Sequence, residues 1–228
     1  MAQTHSEPAV AGAGRWFRVA RWIGRSLLLA LFRLDVEGLD RLPAAGGYVL
    51  ICNHLSWIDG LVVLASLPAE PRIHLLAAAE YTVAGPWPMR LLVRLVGGVI
   101  PVDRQSHKGD RAAVVQALRV LKGGGVLGIF PEGRTGEAEG QLLPFKEGAA
   151  SFAARTGSLV QVVALSGTLE LCYRRWIRLR VGPLLEPLPG ESQAAMLARM
   201  AEALAATVPP LHPGQPHRRR MRWLARLF

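Results

Sequence analysis

His54 and Asp59 stand five residues apart in the stretch YVLICNHLSWIDG, Tyr48 to Gly60, directly after an apolar run. An imidazole beside a carboxylate is the pair that deprotonates a hydroxyl: the His takes the proton near neutral pH, while the Asp fixes its tautomer and stabilises the imidazolium. On an ideal helix the two side chains would point about 140° apart, so they meet only if His54 stands on a strand-to-helix turn and Asp59 in the first helical turn. Ser56 followed by Asp59 also matches the S-x-x-D/E capping signature, which accounts for the segment as a helix start with no chemistry.

Two further apolar runs end in polar clusters. VIPVDR ends in Asp103 and Arg104, which read either as a surface ion pair or as a guanidinium clamp on a phosphate. GIFPEGRTG places Pro131, Glu132, Gly133 and Arg134 after a strand, and Gly133 lets the backbone approach a ligand closely. A turn built from Pro and Gly explains the first half of that segment but not the Arg134 that follows. GGGVLG, Gly123 to Gly128, matches GxGxxG, yet it has a helix before it and a strand after it, the reverse of the dinucleotide fingerprint. GxSxG, P-loop and HExxH motifs do not occur.

These residues need a frame to bring them together. Short runs rich in Val, Ile and Leu (GYVLIC, RIHLLAA, GGVIPV, GVLGIF, LVQVVAL, WIRLRVG) are separated by stretches with helical spacing such as RAAVVQALRVLK and KEGAASFAART. That rhythm predicts an α/β fold with a mainly parallel sheet flanked by helices, closed by a helix over residues 191–207. In such a sheet functional residues gather on loops leaving the carboxyl ends of strands, so parallel strands would bring the three clusters to one edge.

The 228 residues carry a net charge of +10 with half of them hydrophobic, which excludes a disordered polyelectrolyte and points to an anionic partner. Lys108, Lys122 and Lys146 are the lysines, so 24 of the 27 basic residues are Arg. Cys52 and Cys172 sit in no metal-ligand spacing, so neither a disulfide framework nor a structural zinc is expected, and a reducing compartment fits. The chain lacks a convincing signal peptide and any uninterrupted apolar run of the roughly 18 residues a spanning helix needs.

Residues 15–34 (RWFRVARWIGRSLLLALFRL) predict a helix on which Arg15, Arg18, Arg21, Arg25 and Arg33 share a sector of about 120°, with Trp16, Phe17, Ile23, Leu27 and Leu31 largely off it. Two readings fit: an amphipathic helix lying on a membrane with its guanidinium groups among lipid phosphates, or one docked on the protein's own core. The tail HRRRMRWLARLF follows a helix-breaking VPPLHPGQP segment and is expected outside the domain. The expected organisation is a membrane-surface segment over 1–34, a catalytic domain over 35–207 and a basic tail over 208–228. Arginine interleaved with Trp at both ends suits nucleic acid too, but no nucleic-acid module is visible, and none is expected as a partner.

NHLSWID, then GGVIPVDR, then FPEGRTG and LLPFKEGAASFA, in that order, resemble the glycerolipid acyltransferase family typified by bacterial 1-acylglycerol-3-phosphate acyltransferase. The likeness covers roughly residues 35–190. It implies His54 and Asp59 as the catalytic pair, and Arg104, Glu132, Gly133 and Arg134 as residues that bind the acceptor's phosphate and glycerol. It also implies transfer of a fatty acyl group from acyl-ACP or acyl-CoA to the free hydroxyl of a lysophospholipid, above all 1-acylglycerol-3-phosphate. No cofactor or metal is expected, and the place of work would be an anionic membrane surface at the cytoplasmic face, with peripheral or monotopic attachment. An acceptor such as a lyso-ornithine lipid, or a non-catalytic membrane-binding module of the same fold, are the alternatives. The chain departs from the family pattern in reading Glu132-Gly133-Arg134-Thr135 where EGTR is usual. It also lacks a V-P-V run in LVQVVAL and a lysine near AAAEYT.

Overall fold

A computed structural model of the chain describes residues 14–44, 46–85, 87–103, 110–214 and 221. Arg104 and, apart from Met221, residues 215–228 of the basic tail lie outside the described residues. The strands are β1 Arg33–Glu37, β2 Tyr48–Cys52, β3 Ile73–Ala78, β4 Val99–Val102, β5 Val126–Ile129, β6 Val160–Ser166 and β7 Trp176–Leu185. The helices are α1 Arg15–Leu31, α2 Asp59–Ser66, α3 Ala79–Thr82, α4 Trp87–Val96, α5 Arg111–Lys122, α6 Gly148–Thr156 and α7 Gln193–Thr207.

The strands form one sheet in the order β1-β7-β6-β2-β5-β3-β4. From β6 to β4 all neighbours pair in parallel, while β7 runs antiparallel to β6 and β1 parallel to β7. The sheet is therefore mainly parallel, as the run of apolar strands predicts. β7 reverses because the connection from Ser166 carries no helix, and a parallel return needs a crossover of about a dozen residues or more.

Every residue of β2 is buried, and successive side chains serve opposite faces. Tyr48, Leu50 and Cys52 join the core under α1 and α2, where Leu28, Phe32, Ile58 and Val62 pack. Val49 and Ile51 join the core under α5, α6 and α7, with Ala117, Phe152 and Met200. A strand with two buried faces has no room for alternation, which is why YVLIC reads as a continuous apolar run.

β1 escapes the apolar pattern because three of the five residues of its sequence, RLDVE, are charged. Asp35 and Glu37 face β7, where Arg178 Nε donates to Asp35 Oδ2 at 2.9 Å, Arg178 Nη2 to Glu37 Oε1 at 2.7 Å and Arg180 Nε to Glu37 Oε2 at 2.8 Å. Cross-strand charge pairs thus take the place of apolar contacts at the sheet edge. The expected helix over 15–34 ends at Leu31 as a result. The helix expected over 191–207 starts at Gln193, where Ser192 Oγ accepts from the Ala195 N–H at 3.1 Å.

α1 packs across α2. Arg21 Nε donates to Leu64 O at 2.8 Å and Arg25 Nη1 to Ala65 O at 3.0 Å, and Arg21 also reaches Leu67 O. Guanidinium groups at the carboxyl end of a helix satisfy its orphan carbonyls and complement its dipole. Two of the five arginines expected to face lipid phosphates are therefore turned onto α2, while Trp16, Trp22 and Leu27 stand exposed. The end of the chain also departs from expectation: Met221, within the tail expected outside the domain, is buried and its N–H donates to Leu171 O at 2.8 Å. Among the described residues no helix is long and apolar enough to cross a membrane.

Gly47 leads into β2 against the end of α5, where an added Cβ would lie 2.0 Å from Leu121 O. Backbone cannot withdraw as a flexible side chain does, so Gly47→Ala is expected to cost about 1–3 kcal/mol. In a thermal melt this is a fall of roughly 3–10 °C, and an unchanged melting temperature would show that the close approach of α5 is not required.

Candidate active site

The register of β2 with β5 sets the site. Ile51 lies opposite Ile129, so three residues further along each chain His54 and Glu132 come level. Past the end of β2, Asn53 continues the pairing with β6 through its side chain: Nδ2 donates to Leu165 O at 3.0 Å and Oδ1 accepts from the Leu165 N–H at 2.7 Å. This amide imitates one more rung of the ladder and delivers His54 to the sheet edge. Nothing in the spacing of NHLSWID reveals it, because the partner is a backbone group 112 residues away.

His54 is then held at four points. Its N–H donates to Glu132 Oε1 at 2.9 Å, and its carbonyl accepts from the Gly136 N–H at 2.7 Å. Its Nδ1 lies 2.9 Å from Asp59 Oδ2. Its ring stacks on Phe130, with centroids 4.3 Å apart and planes inclined by 23°. With Nδ1 turned to the carboxylate, the proton belongs on Nδ1 and the lone pair on Nε2, as a general base requires. The side chain of His54 is 21% exposed and that of Asp59 is fully buried, so solvent reaches the base but not its orienter.

Asp59 is the first residue of α2. Its Oδ2 also accepts the N–H groups of Leu55 at 2.6 Å and Ser56 at 2.7 Å. The Ser56 contact is one half of the capping box that the sequence suggests; the helix itself is entered through Ile58. Among the described residues Asp59 Oδ1 is buried without a hydrogen-bond donor, so every donor converges on the oxygen that faces the imidazole.

Glu132 is 3% exposed and spends both oxygens on backbone donors, Oε1 on His54 and Oε2 on the Leu143 N–H at 2.8 Å. Burial pushes its carboxyl above the ordinary value, and the two N–H bonds oppose that rise. Gly133 follows in a left-handed conformation with φ of +71°. The space where its Cβ would stand is filled by the side chain of Lys146, which sequence reasoning passes over. Arg134 is exposed on the same loop, between the two residues that hold the His54 backbone.

Asp103 follows β4 at the same edge of the sheet, but β3 separates β4 from β5. Its N–H donates to Asp110 Oδ2 at 2.9 Å, the residue that also caps α5. The Cys52 thiol is pushed well up, first by burial and then by the Asp59 and Glu132 charges, so it stays protonated and unsuited to nucleophilic attack. Among the described residues no group of three or more His, Cys, Asp or Glu side chains is placed to hold a metal ion.

Between them α1 and α2 line a partly open apolar cavity of about 200 Å³, bounded by Phe17, Gly24, Leu28, Trp57, Leu61 and Leu64, among others. Trp57 lies between His54 and Asp59 in the chain, so the cavity adjoins the segment that carries the pair. The site as a whole offers a base with a fixed tautomer, a nearby cation on a loop and an apolar recess.

Because burial raises the Glu132 pKa above its unfolded value of about 4.3, the folded state holds that proton more tightly. Its contribution to stability is complete below about pH 4 and declines as pH rises through the raised folded value. Glu132→Gln removes the titration, so the melting temperature of wild type should fall relative to that of this variant as pH rises above about 4. A wild type that gains on the variant over that rise would contradict a raised Glu132.

A family profile described as Acyltransferase matches residues 33–166. A 1-acyl-sn-glycerol-3-phosphate acyltransferase of Borreliella burgdorferi is 32% identical over 143 residues, 63% of this chain and 55% of that protein. A protein of the same name from Bacillus subtilis is 29% identical over 181 residues, covering 75% of this chain and 84% of its own length. The crystal structure of the 1-acyl-sn-glycerophosphate acyltransferase PlsC from Thermotoga maritima has the same fold, with a TM-score of 0.64 at 20% identity over 83% of this chain and 77% of that one. The chain thus spans about half the length of some of the curated relatives it matches.

Proposed function

Because the chain belongs to the acyltransferase family, we propose that it moves a fatty acyl group from a thioester, acyl-ACP or acyl-CoA, to the free hydroxyl of a lysophospholipid. The names of its relatives favour 1-acylglycerol-3-phosphate as acceptor and phosphatidate as product. The observation that carries this reading is the 2.9 Å contact between His54 Nδ1 and Asp59, made by an imidazole whose backbone is held on both sides.

His54 Nε2 takes the proton of the acceptor hydroxyl as its oxygen forms a bond to the thioester carbonyl carbon. The resulting oxyanion collapses, the C–S bond breaks, and the leaving thiolate takes the proton from the imidazolium. No acyl-enzyme is needed, in keeping with the buried, protonated Cys52. Asp59 holds the tautomer before transfer and stabilises the imidazolium after it. Glu132, with each oxygen accepting a backbone N–H, positions His54 beside the glycerol contact that family resemblance implies. Arg134 and Arg104 bind the acceptor's phosphate. The apolar cavity between α1 and α2 takes an alkyl chain.

The exposed Trp16, Trp22 and Leu27 of α1, beside the exposed Arg15, suit a helix resting on an anionic membrane surface. We place the enzyme there, at the cytoplasmic face, with peripheral or monotopic attachment.

Purified protein given lysophosphatidate with acyl-CoA or acyl-ACP should release free thiol, and His54→Ala should slow that release by about 100- to 10,000-fold with the fold intact. A variant that keeps most of the activity rules out His54 as the base. A panel of acceptors including lyso-ornithine lipid and monoacylglycerol, read by the same thiol assay, identifies the acceptor class; no thiol with any of them would leave a binding module. Ala20 also lines the cavity, and Ala20→Phe should shift preference towards shorter acyl chains. An unaltered chain-length profile would place the chain elsewhere.

A further inference from the structure

We propose that Lys146 is an anion-binding residue of this site, holding the phosphate of the acceptor from the side of Gly133. The proposal rests on the reading of the acceptor as a phosphate-bearing lysophospholipid.

Lys146 is tied into the loop by its own backbone, whose N–H donates to Pro131 O at 2.8 Å. Its side chain lies across the turn at Gly133: a Cβ there would come within 2.6 Å of Cε, 2.8 Å of Cδ and 2.9 Å of Nζ. The absence of a Cβ therefore makes the bed on which the lysine stem rests, and the left-handed φ of Gly133 shapes the same turn. That turn is the one whose Glu132 and Gly136 hold the backbone of His54. The ammonium is thereby carried on the structure that fixes the base.

Lys146 is exposed, and among the described residues its charge has no ion-pair partner. Glu132 has both oxygens engaged by N–H donors. Glu139, further along the loop, accepts from the Gly167 and Leu169 N–H groups and lies 3.8 Å from Arg175. Arg134 is exposed on the same turn, so two cations stand on one loop whose nearest buried carboxylate is spent on backbone. An ammonium with a supported stem loses less rotamer freedom on binding than a lysine projecting into solvent. It meets a phosphate as a compact charge, alongside the wider fork of an arginine.

The test compares wild type with Lys146→Met, which keeps the stem and removes the charge, and with Lys146→Arg, which keeps the charge. Calorimetric titration with glycerol 3-phosphate, and with glycerol as the uncharged control, measures head-group binding without turnover; kinetics with lysophosphatidate give KM and kcat. Lys146→Met is expected to weaken glycerol 3-phosphate binding and raise the lysophosphatidate KM by about tenfold or more, with kcat within about twofold. Lys146→Arg should recover part of both, and all three proteins should melt alike. Glycerol 3-phosphate binding equal in wild type and Lys146→Met, or undetectable in wild type, overturns the assignment. Binding that depends on Lys146 in a protein that releases no thiol with any lysophospholipid upholds the anion site and defeats the reading of the function.

Discussion

The backbone of His54 is gripped from both sides by the loop that leaves β5, and the rest of the site depends on that grip. Glu132 takes its N–H and Gly136 supplies an N–H to its carbonyl, at 2.9 and 2.7 Å. A base that must meet a hydroxyl within hydrogen-bond reach gains little from a good pKa if its main chain wanders. Here the main chain is fixed before the imidazole is oriented, and the Asp59 contact and the Phe130 stack complete the placement. The parallel register of β2 and β5 makes this possible, since it sets His54 and Glu132 at equal distance beyond paired residues.

Two buried carboxylates are the energetic cost of this arrangement. Removing a carboxylate from water costs several kcal/mol even after relaxation, and each hydrogen bond to a charged group returns about 1.5–3 kcal/mol. Asp59 gathers three donors on one oxygen and Glu132 two donors on two, so their neighbours were placed before any ligand arrives. For Glu132 the balance tips toward burial, which is why its carboxyl rises while the N–H bonds pull the other way. α2, the carrier of Asp59, is in turn fastened at its far end by Arg21 and Arg25 of α1. α1 is thus linked mechanically to the residue that orients the base.

Much of this was legible in the residues and some was not. The six apolar runs appear as β2 to β7, and in β2, β5 and β6, buried on both faces, Val, Ile and Leu fill both sides. β1 was invisible because Asp35 and Glu37 pair with arginines on β7, and a charged edge strand resembles a loop in sequence. The five-residue spacing of His54 and Asp59 was interpretable because strand-to-helix geometry is local. The roles of Asn53, Glu132 and Lys146 were not, because each is set by a backbone group or a glycine brought near only by the fold. Gly133 illustrates the difference: spacing alone suggested room for a ligand, and the structure fills that room with the stem of Lys146.

The central claim is that Asp59 holds the imidazole with its proton on Nδ1 and its lone pair on Nε2. Nitrogen NMR of the protein labelled with 15N-histidine reports the tautomer of each ring directly, and His54→Gln identifies the signal by its loss. In the neutral ring Nδ1 is expected to be protonated and Nε2 unprotonated. A signal showing the proton on Nε2 would leave no base facing the acceptor and would contradict the claim.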